Sequence, residues 1–255
     1  MTKPKIKINE RVGSIRLNKF LSQAGISSRR QADILISQGA IKVNGKIVKK
    51  LGFQIDQEND RVEIMNKLVE VQSQKIVYLV NKPIGVVSTA KDEQGRKTVL
   101  DLVPSSPRVF PCGRLDFDTT GLMILTNDGE LCYNLTHPKF EQKKEYLVEA
   151  ESKGQFEKIL DKIKAGVLIE RRKVKVENLK IIWIRGKKIK FSLIIHEGRN
   201  RIVRKLSQAV GLKILRLTRV RFGPYQLDQL KPGEFRLVKI KTEKNKKTGV
   251  LKDTS

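Results

Sequence analysis

At 255 residues the chain has room for one large domain or two small ones, and 39% hydrophobic residues suffice for a real core. Against 27 Asp and Glu stand 53 Lys and Arg, a formal net charge of +26, and the commonest partner of so positive a surface is a polyphosphate. An anionic membrane is the rival partner, but no apolar run nears eighteen residues and no lipidation signal is present.

The start, MTKPKIKINER, is basic and lacks the apolar stretch of a signal peptide, so a cytoplasmic protein is expected. Cys112 and Cys132 show neither a CxxC nor a metal-type spacing, which predicts reduced thiols. His137 and His196 are too few and too scattered for a three-ligand metal centre. No GxxxxGK[ST] or GxGxxG loop offers a nucleotide cradle. The expectation is therefore no metal and no cofactor, with carboxylates and arginines carrying any chemistry.

Residues 1–14 read as a flexible basic N-terminus. Leu17, Phe20, Leu21 and Ala24 then recur at helical spacing, and Gly25 ends that helix. Ser28 with Gln31 three residues on suggests a capping box for a second helix, whose apolar face is Ala32, Leu35 and Ile36. After Gly39, IKVNGKIV alternates around Asn44-Gly45, the strongest short hairpin signal, and DRVEIM adds a strand near residue 65. Arg29 and Arg30 fall in the first turn of the second helix, where cations oppose the helix dipole, so an RNA phosphate contact explains them better than helix stability does. Residues 66–74 read as a linker.

From KIVYLVNKP onward the apolar runs are short and β-branched: VVST, LMILT, YLVEA, LKIIWI, IKFSLII and ILRLTRV. Helical patterns interleave near 130–136, 154–164 and 200–210. This mixture predicts an α+β domain over 75–243, built on a largely antiparallel sheet and followed by a disordered basic tail at 244–255.

Residues 115–138, LDFDTTGLMILTNDGELCYNLTHP, hold no lysine or arginine, although about five are expected by proportion. The window carries Asp116, Asp118, Asp128 and Glu130. Asp128 or Asn127 suits a helix cap, Glu130 complements the dipole, and Asp118 is expected to bond its own loop's backbone. Asp116 stands directly before a core strand. On residues alone it is best read as a loop partner of Arg114 and Tyr146 as an ordinary strand aromatic; Arg199, Arg201, Arg204 and Lys205 could be a solvated helix start, but cations there oppose the dipole, so a nearby anion is the better account.

Motifs change that balance. RLNKFLSQAGISSRRQADILISQGAIKVNGKIV resembles the S-four-type RNA-binding module first described in a small-subunit ribosomal protein, which places an RNA-binding domain at 15–65. GRLDFDTTGLMILTNDGEL, with NKPIGVVST before it and KKEYLVE, HEGRNRIVRKL and LTRVRFGP after it, resembles the pseudouridine synthases of the RsuA/RluB group. The resemblance spans nearly the whole chain in the same motif order. It implies that Asp116 is the catalytic carboxylate, that Tyr146 stacks on the target base and that Arg204 pairs with the carboxylate. Leu217 would wall the base pocket and Arg114 would hold phosphate or the flipped nucleotide. Lys82, Arg199, Arg201 and Arg219 are expected to contact RNA, with Arg216, Arg219 and Arg221 marking a backbone-tracking strand. Ile202 stands where the group commonly has glutamine or glutamate.

The implied reaction is isomerisation of a uridine to pseudouridine in ribosomal RNA, by a monomer acting on that RNA or on an assembly intermediate. TAKDEQGRKTVLDLV is closer to the large-subunit branch of the group than to the small-subunit branch. The competing reading is an RNA-binding or ribosome-assembly factor that keeps the fold without the catalysis.

Overall fold

The computed structural model describes residues 13–71 and 74–238. The expectations for residues 1–12 and for the tail lie outside the described residues. No helix among the described residues is long and apolar enough to cross a membrane.

The N-terminal part opens with β1 (Ser14–Arg16), α1 (Leu17–Gln23) and α2 (Arg29–Ser37). Ser28 caps α2 by accepting from the Gln31 N–H at 3.2 Å. The hairpin follows as β2 (Ile41–Val43) and β3 (Lys46–Ile47). Asn44 (φ 50°) and Gly45 (φ 77°) both take the left-handed conformation that a two-residue type I′ turn requires. Then come β4 (Gln54–Asp56), β5 (Val62–Ile64) and β6 (Lys67–Leu68). β1 pairs β4, and β3-β2-β5-β6 form a small sheet. Leu17, Leu21, Ala32, Ile36, Ile41 and Val62 meet in a core of their own. Val69 belongs to that core, so the packed unit runs beyond residue 65 into the segment read as a linker.

The larger part contains β7 (Val77–Lys82), β8 (Phe110–Cys112), β9 (Thr120–Thr126) and α3 (Gly129–Thr136). It continues with β10 (Lys144–Glu151), α4 (Phe156–Ala165), β11 (Val167–Ile169), β12 (Arg172–Val174), β13 (Asn178–Arg185) and β14 (Lys188–Ile195). Last are α5 (Ile202–Ala209), β15 (Lys213–Phe222), β16 (Tyr225–Gln226) and β17 (Phe235–Val238). Nine strands form one sheet in the order β13-β14-β10-β15-β9-β7-β17, with β16 on β15 and β8 on β9.

Every residue of β7 is buried, which is why KIVYLVNKP reads as a continuous apolar run rather than an alternating one. Tyr78 and Val80 join one apolar layer with Ile159 and Ile163 of α4 and Leu206 of α5. Val77 and Leu79 join the other with Leu135 of α3 and Phe222. Each fully buried aliphatic side chain contributes roughly 1.5–3 kcal/mol, so the two layers fix the central strands firmly.

The antiparallel expectation holds except at one seam. β15 and β9 run parallel, paired only at Thr218↔Thr120 and Arg219↔Gly121. The approach is so close that a Cβ on Gly121 would lie 2.2 Å from the Arg219 carbonyl oxygen. VVST, read as a strand, makes only an isolated bridge between Val87 and Thr98. That bridge is made by the Val87 N–H on the Lys97 carbonyl and the Val99 N–H on that of Val87, which close the 87–99 loop.

Candidate active site

Between β8 and β9 the chain makes a short loop, 113–119, closed by the Thr119 N–H on the Asp116 carbonyl at 3.1 Å. Ser88 pins that loop from below. Its Oγ donates to the Leu115 carbonyl at 2.7 Å and accepts the Leu115 N–H at 3.1 Å. Leu115 is thereby drawn into the core, and Asp116 beside it keeps its carboxylate 27% exposed.

The first turn of α5 faces this loop. Arg201, at φ 52°, ends the preceding turn and starts the helix, and Arg204 follows one turn later on the same face. Arg201 Nη1 lies 3.7 Å from Asp116 Oδ2, and Arg204 Nε lies 4.0 Å from the same oxygen. Both arginines are closer to Asp118: Arg201 Nη2 at 3.3 Å from Oδ2 and Arg204 Nη2 at 3.2 Å from Oδ1. Arg204 Nη2 also donates to the Asp118 carbonyl at 2.8 Å and to Thr119 Oγ1 at 3.2 Å.

Two expectations need correction here. The Asp118 carboxylate takes no loop N–H among the described residues; it is the principal ion-pair partner of both arginines. Arg204 meets Asp116 only at 4.0 Å through Nε, because its Nη2 is engaged by Asp118 and Thr119. Its Nε is buried without a hydrogen-bond partner and is the Arg204 nitrogen that faces Asp116. Reading the motif residue by residue missed Asp118 and the contact of Arg201 with Asp116. The available signal was two acids spaced by two, opposite two arginines spaced by one helical turn.

Lys82, expected to contact RNA, is fully buried. Its ammonium donates to the Pro83 and Val86 carbonyls, both at 2.9 Å, beneath the loop. Burial pushes this amine down to about 8, against the opposing pull of the Asp118 and Asp116 charges. Arg219 is likewise no RNA-tracking residue. It is 2% exposed, donates from Nε to the Leu122 carbonyl at 2.9 Å and lies 4.6 Å above the Phe222 ring. Burial lowers its pKa, while the electrostatic pull of the neighbouring Tyr146 opposes the shift. On a strand that pairs on both sides, alternate side chains must enter a core, and Arg219 falls on that side.

Tyr146 lies opposite Arg219 in the β10–β15 register and is 8% exposed. Leu217, two residues before Arg219, is buried in the same apolar layer as Tyr146 and Leu115. Thr120, at the end of the loop, donates to the Leu217 carbonyl at 3.2 Å, tying the carboxylate loop to that wall. Ile202 is 4% exposed in this layer, so α5 is anchored by apolar packing at that position.

Among the remaining candidates, Arg114 is exposed, with no carboxylate oxygen within 4 Å among the described residues. Arg29 and Arg30 are exposed at the start of α2. Arg199 is held by Glu197 and by the Ile169 carbonyl, so it serves the loop before α5. The 89–103 insert folds against the loop: Asp92 holds Arg96 at 2.7 Å, and that guanidinium lies 5.9 Å from the Phe117 ring. Arg108 Nη1 donates to the Ser27 carbonyl at 2.8 Å, joining the two parts of the chain.

Comparison with known proteins gives the same layout. Residues 76–209 match the family described as RNA pseudouridylate synthase, and residues 15–62 match the S4 domain. An uncharacterized RNA pseudouridine synthase of Aquifex aeolicus is 42% identical over 87% of this chain and 89% of its own. Ribosomal large subunit pseudouridine synthase B of Bacillus subtilis is 39% identical over 87% of this chain and 91% of its own. A crystal structure of a pseudouridylate synthase superposes with a TM-score of 0.59 at 31% identity, covering 88% of this chain and 96% of that one.

Proposed function

Since the chain belongs to the RNA pseudouridylate synthase family, we propose that it isomerises one uridine of large-subunit ribosomal RNA, with Asp116 as the essential carboxylate. The observation that carries the assignment to Asp116 is its setting. It is a part-exposed carboxylate facing two arginines at 3.7 and 4.0 Å, on a loop tied to the Tyr146 and Leu217 wall.

The reaction breaks the bond between the ribose and the base nitrogen and rejoins the ribose to carbon five, which gives up its proton. It needs no redox, phosphate or metal step. The uridine must first leave its stack, at a cost of a few kcal/mol. The face of Tyr146 offsets roughly 1–3 kcal/mol of that by stacking. Attack on the sugar, attack on the base and removal of a sugar proton each require Asp116 ionised, and the arginines and Lys82 supply the compensating charge. Arg114, exposed and free of carboxylate partners among the described residues, is available for a phosphate of the extruded nucleotide.

Residues 15–65 would grasp the rRNA hairpin through Arg29 and Arg30 while residues 75–243 perform the chemistry, as a cytoplasmic monomer working on ribosomal RNA or an assembly intermediate. Assignment to the large subunit is supported by the Bacillus relative and by the 89–103 insert.

The test uses rRNA fragments carrying uridine tritiated at carbon five. Release is expected from a large-subunit fragment, and Asp116→Asn should abolish it while RNA affinity stays close to wild type. Release from small-subunit fragments alone reassigns the substrate. Tight binding with no release from any fragment turns the chain into a binding factor, and turnover by D116N removes Asp116 from the chemistry.

A further inference from the structure

Only four of the 14 Phe, Trp and Tyr side chains are exposed among the described residues: Phe117, Tyr133, Phe140 and Phe235. Phe235 meets the edge of Tyr78 at 5.4 Å, and Phe117 belongs to the carboxylate loop. The other two stand together on a surface that the reaction does not use. Tyr133, in α3, is 45% exposed and Phe140, just after it, is 37% exposed. His137 lies between them, with ring centroids 4.7 Å from Tyr133 and 6.3 Å from Phe140. Tyr133 and Phe140 meet edge to face at 5.7 Å. Lys139, also exposed, has its ammonium 5.1 Å from the Tyr133 ring centre and 4.6 Å from that of Phe140.

The fold holds this group rigidly. Asp128 caps α3 by accepting the Glu130 and Leu131 N–H groups, and Leu135 anchors the helix in the core. His137 Nδ1 accepts the Lys139 N–H at 3.2 Å, which fixes the turn that carries Lys139 and Phe140. The rings are therefore a preformed, part-exposed cluster with a cation over two of them.

Its place in the molecule narrows the occupant. Tyr133 lines a cleft of about 660 Å³ whose opposite wall includes Lys19 and Arg29 of the N-terminal part. In the same last turn of α3, Thr136 lies against Gly113, where an added Cβ would be 3.5 Å from the Thr136 methyl, and Gly113 precedes Arg114 and Asp116. Tyr133 thus faces the cleft shared with the first domain, on a helix whose last turn touches the start of the carboxylate loop.

We propose that Tyr133, His137, Lys139 and Phe140 form a second RNA site, a stacking platform for unpaired nucleobases of the substrate lying between the gripped stem and the target uridine. Base faces stack on aromatic rings without regard to sequence, and a cation among the rings attracts the accompanying phosphates. The cations come from outside the cation-free window: Lys19, Arg29 and Lys75 line the cleft against Asp128 and Glu130, and Lys139 adds one at the rings. This rests on the RNA-modifying reading and adds how a single-stranded segment is held.

The test measures binding apart from turnover. Two RNAs share one stem, one with an unpaired flank beside the target and one fully paired. Tyr133→Ala with Phe140→Ala should weaken binding of the flanked RNA by about five-fold or more, since losing a stack costs roughly five- to a hundred-fold per base. The fully paired RNA should bind as before, and Y133F with F140Y should restore the flanked RNA. On the wild-type chain, 5-iodouridine in the flank should photocrosslink to Tyr133, His137 or Phe140. Unchanged affinity, a loss shared by both RNAs or not restored by the conservative pair, or crosslinks elsewhere would each overturn the platform. Retention of a ribosomal protein that the alanine pair abolishes, with flanked-RNA affinity intact, would overturn it in favour of a protein-docking surface. Tritium release is read separately, so an inactive chain that still shows the flank-specific loss fails the synthase assignment and not this one.

Discussion

Lys82 is a buried cation beneath two carboxylates, and its proton is the most easily removed charge near the loop. Its amine titrates near 8 in the folded chain against 10.5 for the free group. As pH rises through 8, Asp116 and Asp118 lose a compensating positive charge, so kcat/KM should fall there. Between about 8 and 10.5 the unfolded chain holds the proton that the folded chain has lost, so this group's contribution to stability rises with pH. The fall in rate is then a change at the site and not unfolding. A pH–rate profile of Lys82→Met by tritium release should be lower throughout and lack the limb near 8; an unchanged limb sinks the assignment. The sequence marked Asp116, Tyr146, Arg204 and Leu217 because their motifs are local. It gave Lys82 and Arg219 the wrong neighbours, because burial of a cation is decided by carbonyls and rings that only the folded strands supply. The Asp118–Arg201 pair spans 83 residues and has no local signature.

Helices and central strands follow from periodicity. The runs behind β7, β9, β10, β13, β14 and β15 are β-branched and long enough to be read, and all three helical patterns of the larger part form. Short elements escape, because two to four residues carry no period; β16 and β17 are recognisable only by their partners. The parallel seam escapes for a different reason. It depends on Gly121, whose missing side chain lets β9 meet β15 within a distance no other residue permits. Gly121→Ala should destabilise the chain by about 2–4 kcal/mol, through overpacking against backbone that cannot move aside and through its φ of 108°. Urea unfolding measures this directly, and a midpoint equal to wild type would show that the seam can part without cost. Turnover should fall with stability, since Thr120 of the same seam ties the carboxylate loop to Leu217.

For the molecule as a whole, net charge and module order were readable at once, whereas the join between the parts was not. Arg108 meets Ser27 across 81 residues. It sits beside Arg29 and Arg30, so the proposed grip on RNA and the joint share one turn of chain. If both arginines meet phosphates, each releases roughly 0.7–0.9 of a counterion, and R29A/R30A should lower the salt slope of RNA binding by about 1.4–1.8. Affinities measured at several salt concentrations give that slope; parallel lines for variant and wild type would remove these residues from the interface.

Pairing of β17 with β7 sets an order in time. Val80 waits for Phe235, and the Asn81 N–H finds its acceptor, at 2.9 Å, only on Glu234. Asp116 likewise meets Arg204 only after α5 has been made. The N-terminal core is complete by Val69. A ribosome reading this chain from its start thus exposes every apolar partner of the RNA grip long before the catalytic sheet can close, because contacts so distant in sequence form late. For that interval the nascent enzyme has the parts to hold RNA and lacks those to change it.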